Sequence, residues 1–342
     1  MMERYLVTGA AGFIGSYLIL QLIEQILCDC GEGTIYGIDS LDPYCSYPTF
    51  IKMENLKMLQ ERSSEAGVPF EFSATDVRSP SLGSLFDMWD PTVVFHLAAK
   101  AGVRDSLEDP DTYYDVNVNG TVNLLKCCRD RARKFIFASS SSVYGSKDLK
   151  RGFNEDDRPE PISPYATTKY MAELATQMYS GKHAGEYVCA RFFNVYGPRM
   201  RPDAAIYKFA RQIKAGKPIT KYGRGKTWRD YTYVGDLAEG LISCLDTKTP
   251  FEIINLGAGR PVELGDLIQE VIEMMGREEY EIDIQDQQPG DVPLTWSATG
   301  KAGWLLKWNA EIRLKMGLAI FKKWFDQVPE ETLRLLDERT FI

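Results

Sequence analysis

The chain has 342 residues, 44% of them hydrophobic and 26% charged, which is enough to bury a large core and to form two lobes. Its net charge of −8, with no basic stripe to neutralise a phosphate backbone, excludes nucleic acid as the expected partner. No apolar run reaches membrane-spanning length, and the N-terminus has no charged region followed by an apolar stretch and a cleavage site, so a cytoplasmic protein with no membrane partner is expected.

Residues 4–15 read RYLVTGAAGFIG, an apolar run ending in glycines at 9, 12 and 15. This predicts a strand, a tight turn and a helix start, where a dinucleotide pyrophosphate would sit. Gly9 permits the turn, Gly12 lets backbone N–H groups approach phosphate, and Gly15 allows close helix–strand packing. Glycine spacing alone is also met by strand–helix turns that bind nothing. A second apolar run, TIYGIDS at 34–40, ends in Asp39, at the spacing for one intervening helix. A carboxylate there would accept from both ribose hydroxyls and repel a 2′-phosphate, favouring NAD over NADP, although a solvated loop aspartate is the alternative.

Further strand-like runs fall at 69–73, 92–97, 134–139 and 187–193, alternating with helical patterns. Alternation of this kind implies right-handed crossovers and a Rossmann-type doubly wound parallel sheet, an α/β fold. The run at 70–79 ends with Asp76, placed either to meet an adenine amino group or to cap a helix. The run at 92–102, TVVFHLAAKAG, passes into small residues, as a chain lying close to a flat ligand requires. His96 within it reads as a satisfied core histidine. Seven cysteines, at 28, 30, 45, 127, 128, 189 and 244, lack CxxC spacing and histidine companions, and read as reduced, packed thiols. With only His96 and His183, neither a zinc site nor a histidine triad is expected, and the metal assignment is none.

The catalytic candidate is SPYATTKYMAEL at 163–174, where Pro164 starts a helix and Tyr165 and Lys169, four apart, share a face. An ammonium beside a phenol favours the phenolate and yields a base for a hydroxyl proton near neutral pH. Upstream, FIFASSSSVYG at 135–145 is a strand ending in four serines at the ligand end of the sheet, where a hydroxyl could orient a reacting oxygen and others would cap backbone. After about residue 195 the pattern turns to Gly-, Pro- and Arg-rich loops with short helices and strands. The expected division is a dinucleotide-binding domain of 1–193 plus 228–254 and a smaller C-terminal α/β substrate-binding lobe of 194–227 plus 255–342.

In this order the glycine turn, Asp39, HLAA, the serine cluster and YxxxK resemble the extended short-chain dehydrogenase/reductase family of nucleotide-sugar enzymes, over essentially the whole chain. Within it, segments 39–59, 101–110 and 191–209 are most similar to the UDP-glucuronate 4-epimerase group, and 221–236 and 287–296 resemble that group's uridine-diphosphate contacts. The resemblance implies NAD as cofactor, held by Gly9, Gly12, Phe13, Ile14, Gly15, Asp39, Asp76, Val77, Ala98, Ala99, Lys100, Tyr165 and Lys169. It makes Tyr165 the base, Lys169 its partner and ribose anchor, and Ser140, four before Tyr144 of VYG, the hydroxyl on O4. The next two positions usually include acids in the dehydratases and decarboxylases. Here they are Ser141 and Ser142, which implies oxidation and return without elimination.

The implied reaction is C4 epimerisation of a UDP-sugar through a transient 4-keto sugar. With no net redox change the cofactor must be held tightly. Arg104, Ser140, Ser141, Ser142, Asn194, Arg201, Arg229 and Asp291 are the implied substrate residues. Arg201 of GPRMRPD is implied as the fork that holds a glucuronate carboxylate, against a surface-loop alternative. Arg229 is assigned to the diphosphate and Asp291 to a ribose hydroxyl, each with an ordinary salt bridge as rival. Two positions depart from the glucuronate pattern: Asn194 stands where threonine is common, and Lys100 where glutamine is common. Neutral UDP-hexoses therefore stay open as substrates, and a non-catalytic NAD-binding regulator is the non-enzyme alternative. Helices near 111–131 and 163–181 imply a homodimer through a four-helix contact.

Overall fold

The computed structural model describes residues 3–28, 32–43, 45, 47–147, 150–224, 226–287 and 290–340. Cys30, and Gln288 and Pro289 of the segment 287–296, lie outside these. Six of the expected runs form β1 (Glu3–Thr8), β2 (Gly33–Asp39), β3 (Phe70–Ala74), β4 (Val93–His96), β5 (Lys134–Ser140) and β6 (Glu186–Phe192). They are followed by β7 (Asn194–Tyr196), β8 (Ile219–Tyr222), β9 (Trp228–Tyr233), β10 (Phe251–Leu256), β11 (Pro261–Glu263) and β12 (Ile282–Gln285). One parallel sheet has the order β10-β6-β5-β4-β1-β2-β3, and two small sheets, β11-β9-β7 and β12-β8, stand apart from it.

The central strands read as unbroken apolar runs because both faces of the sheet are covered. Along β5, Ile136 and Ala138 enter one core while Phe135 and Phe137 enter the other, and β1 splits Val7 from Leu6 in the same way. Helices α1 (Phe13–Cys28), α2 (Thr49–Ala66), α3 (Leu82–Trp89), α4 (Val103–Glu108), α5 (Pro110–Tyr114), α6 (Gly120–Cys128) and α7 (Pro164–Ser180) belong to the first half. Leu18 and Leu22 of α1 pack on the first face, and Phe86 of α3, Leu124 of α6 and Ala172 of α7 on the second. Each fully buried Ile, Val or Phe here, such as Phe95, Ile136 and Val188, contributes about 1.5–3 kcal/mol by leaving water.

The second half adds α8 (Ala205–Lys214), α9 (Val234–Ser243), α10 (Leu264–Met274), α11 (Gly300–Leu305), α12 (Leu314–Gln327) and α13 (Glu330–Thr340). Leu237 and Leu241 of α9 join the first core, and Gln21 of α1 donates to the Gly235 carbonyl at 3.0 Å. A separate core gathers Ile206 and Phe209 of α8, Leu267 and Val271 of α10, and Phe321 and Phe325 of α12. Within 228–254, α9 and β10 return to the large sheet, whereas β9 pairs with β7 and β11. The expected helix over 111–131 is instead α5, a π-helical turn at Asp115–Asn119, and α6. No helix among the described residues is long and apolar enough to cross a membrane.

Candidate active site

The β1–α1 turn places Gly9 at φ +70°, and a Cβ there would meet the Ala98 backbone nitrogen at 2.9 Å. A Cβ on Gly15 would lie 2.1 Å from the Gly9 carbonyl oxygen, so any side chain would force the turn open. Above it lies a cavity of about 460 Å³. Gly9, Gly12, Phe13, Ile14, Gly15, Asp39, Asp76, Val77, Ala98, Ala99, Lys100, Tyr165 and Lys169 line it, together with Arg201. A bare-backbone cradle at a helix N-terminus with a carboxylate at the end of β2 fits a dinucleotide.

Asp39 is buried, accepts from the Leu41 N–H at 2.9 Å, and is ion-paired with Lys52 Nζ at 2.8 Å. Burial opposes the Lys52 ammonium, but Asp39 and Cys45 together outweigh it and hold the pKa above its usual value. A partly neutralised carboxylate repels a 2′-phosphate less than a bare one. Sequence reasoning missed Lys52 and the neighbouring Tyr47 and Cys45, which also line the cavity. The available signal was spacing: Lys52 falls in the stripe Ile51, Asn55, Leu56 and Leu59 that α2 buries. Asp76 does not cap α3, whose N-cap is Ser81. Its carboxylate instead grips Arg78, at 2.8 Å to Nη2 and 3.0 Å to Nε, and Arg78 lowers the Asp76 pKa.

Ser163 caps α7 by accepting from the Ala166 N–H at 3.2 Å, which fixes Tyr165 in the first turn and Lys169 in the next. The Ser140 hydroxyl donates to Ser142 Oγ at 3.2 Å and accepts from the Ser142 N–H at 3.2 Å. Burial raises the Tyr165 pKa, while Ser140 and the Arg201 charge pull it back. Lys169 is not among the groups that lower it, and the Lys169 ammonium donates to the Ala138 carbonyl at 2.8 Å. Burial pushes Lys169 down to about 7 against the opposing charge of Glu173. Ser139 lines the cavity, but its hydroxyl is committed to Glu173 at 2.5 Å, and Glu173 is clamped by Arg191 at 2.7 and 2.8 Å. His96 is satisfied by Thr8 at 2.8 Å and Thr121 at 2.9 Å, and burial pushes it down to about 3.

Arg201 lines the cavity and pairs with Asp203 at 2.7 Å. Arg104, Ser140, Ser141, Ser142, Asn194, Arg229 and Asp291 lie outside that cavity lining. Helix α4 bridges the two regions, presenting Asp105 and Glu108 to the cavity and Arg104 to Asp291 at 3.4 Å. Arg104 also stacks over the Tyr222 ring at 4.9 Å, and Asp291 faces Arg229 electrostatically, whose pKa burial lowers. Asn194 Oδ1 accepts from the Thr295 hydroxyl at 3.2 Å. Ser141 and Ser142 form the short 3₁₀ turn after β5. Tyr113 and Tyr222 were not singled out beforehand, since an isolated tyrosine in a helix or strand carries no sequence signal. Tyr113 packs edge-on to Tyr165 at 6.3 Å. The described cysteines, Cys28, Cys45, Cys127, Cys128, Cys189 and Cys244, are all free thiols.

The family model for GDP-mannose 4,6 dehydratase matches residues 6–321. The chain belongs to that family of short-chain dehydrogenase/reductase enzymes. It is 36% identical over 327 residues to a UDP-glucuronate 4-epimerase of Thermodesulfobacterium geofontis, covering 94% of this chain and 96% of the relative. UDP-glucuronate 4-epimerase 1 of Arabidopsis thaliana is 35% identical, with 94% of this chain and 76% of that protein covered. Among solved structures, the UDP-glucuronic acid 4-epimerase of Bacillus cereus in complex with UDP-glucuronic acid and NAD superposes with a TM-score of 0.85 at 34% identity, covering 95% and 99% of the two chains. The UDP-glucose 4-epimerase of Thermotoga maritima with UDP-glucose gives 0.84 at 28% identity over the same shares. These likenesses match the doubly wound sheet and the nucleotide-sugar epimerase reading of the sequence.

Proposed function

We propose that the chain is a NAD-dependent epimerase that inverts C4 of UDP-glucuronate to give UDP-galacturonate through a transient 4-keto sugar. The observation that carries this reading is the meeting of Tyr165, Lys169 and Arg201 with the Gly9 turn and Asp39 in one cavity. NAD held by the Gly9 turn and Asp39 would supply the acceptor for the C4 hydride and its donor for return to the opposite face of the sugar. Tyr165 removes the O4 proton, the Ser140 hydroxyl orients O4, and Tyr165 gives the proton back after the sugar turns about its diphosphate linkage. Lys169 anchors the nicotinamide ribose. Arg201 holds the sugar carboxylate through a guanidinium fork, keeping its bond to C5 out of line with the ketone π system so that carbon dioxide is retained. Arg104 and Arg229 serve the diphosphate, Asp291 a ribose hydroxyl, and Ser141, Ser142 and Asn194 the sugar edge.

The same reading divides the chain into a NAD-binding domain of 1–193 plus 228–254 and a nucleotide-sugar lobe of 194–227 plus 255–342, in the cytoplasm. Met171, Leu174 and Met178, exposed along α7, support a homodimer contact. Asn194 favours a second reading, in which the substrate is a neutral UDP-hexose. To decide, purified protein is incubated without added NAD with UDP-glucuronate, UDP-glucose or UDP-N-acetylglucosamine and followed by proton NMR. UDP-galacturonate alone is expected. Conversion of a neutral sugar only would favour the second reading, a pentose product would remove the role given to Arg201, and no product even with added NAD would refute epimerisation.

A further inference from the structure

In the large sheet β1 lies between β4 and β2, so the loops that follow β4 and β2 flank the β1–α1 turn from either side. Lys100 lies just past β4 and Asp42 just past β2, and both line the cavity. Across the turn the Lys100 ammonium meets the Asp42 carboxylate at 2.7 Å. The side chains retain only 19% and 28% exposure, so solvent and salt screen this pair less than one on the open surface. The stem of Lys100 is held from below. Its backbone N–H donates to Asn117 Oδ1 at 2.8 Å, and its carbonyl accepts from Asn117 Nδ2 at 3.0 Å. Asn117 stands in the π-helical turn and also donates to the Thr168 hydroxyl at 3.0 Å, beside Lys169 on α7. A lysine with a fixed backbone and an anion on the opposite loop make a closure over whatever occupies the turn. The Lys100 charge also reaches the carboxylates of Asp76 and Asp109.

We propose that the Lys100–Asp42 ion pair is a strap that closes over the pyrophosphate span of the bound dinucleotide and slows its release. This rests on the dinucleotide reading of the cavity. It meets a demand of the reaction: a cycle with no net redox change leaves the enzyme inactive if the cofactor departs in its reduced form, so slow release has value in itself.

The test loads the parent protein, Lys100→Gln, Asp42→Asn and the double variant with isotope-labelled NAD, then chases with excess unlabelled NAD and times the loss of label. Circular dichroism first confirms that each variant is folded. The strap predicts that each single variant releases label about tenfold faster than the parent and that the double variant is no faster than the faster single, the non-additivity of two residues in contact. Release from Asp42→Asn at the parent rate or slower would overturn the strap, because Lys100 would then act on the phosphates alone. Parent-rate release from Lys100→Gln, or a double variant whose effect is the product of the singles, would overturn it equally. A parent protein that takes up no label and releases no NAD on denaturation would refute the dinucleotide reading, and the strap with it.

Discussion

At the scale of single residues, the proposed chemistry depends on where charge sits around one phenol. Tyr165→Phe removes the proton acceptor while leaving the ring, so turnover should fall by at least about 10²-fold with NAD still bound, as measured by initial rates and by assay of released cofactor. Arg201→Met should lower kcat/KM for UDP-glucuronate by about 10²-fold while sparing any activity on UDP-glucose, since only the charged sugar loses its partner. An equal loss on both sugars would mean that Arg201 acts on the phenol rather than on a carboxylate. Lys169 gives a pH dependence with a definite sign. Its pKa is lowered from 10.5 to about 7 by burial, so between these values the unfolded chain binds a proton that the folded chain does not. Stability of the apoprotein therefore rises with pH across that window, by at most about 1.4 kcal/mol per unit from this group, and the slope should shrink in Lys169→Met when thermal unfolding is compared at pH 7, 8 and 9.

At the scale of elements, α7 does two jobs with two faces. Its inner face carries Lys169 and Glu173, and the buried Glu173–Arg191 pair at 2.7 Å ties α7 to β6 behind the serine turn. Glu173→Leu leaves Arg191 charged in the core without its carboxylate, with the Glu155 carbonyl at 3.3 Å and the Tyr144 ring as neighbours, and should cost about 3–5 kcal/mol in urea unfolding. Its outer face carries Met171, Leu174 and Met178 at helical spacing. Leu174→Glu with Met178→Glu should convert the proposed dimer to a monomer in light scattering, and an unchanged mass would refute the contact. The sequence made α7 legible through Ser163, Pro164 and the YxxxK spacing, but it did not reveal the π-helical turn at Asp115–Asn119. An extra residue within a turn leaves the apolar periodicity on both sides nearly intact, so a single helix is what the pattern suggests.

At the scale of the whole molecule, the large sheet was readable because β1, β2, β4, β5 and β6 are covered on both faces and so appear as continuous apolar runs. β10 gave a weaker signal: Phe251, Glu252 and Ile253 are only partly buried at the sheet edge. The cavity floor was legible from glycines, whose absence of a side chain is a constraint in itself. Its walls were not, because Lys52, Asp42 and Tyr113 reach it from α2, a loop and α5, and a lysine or tyrosine in isolation reads as solvated or packed. The central claim is that one hydrogen leaves C4 and returns to C4 within a single binding event. The direct measurement is conversion of UDP-glucuronate carrying deuterium at C4, in ordinary water and without added NAD, with the product read by NMR. UDP-galacturonate that keeps the deuterium at C4 is the predicted result; UDP-galacturonate carrying hydrogen there, or none formed, would contradict the account.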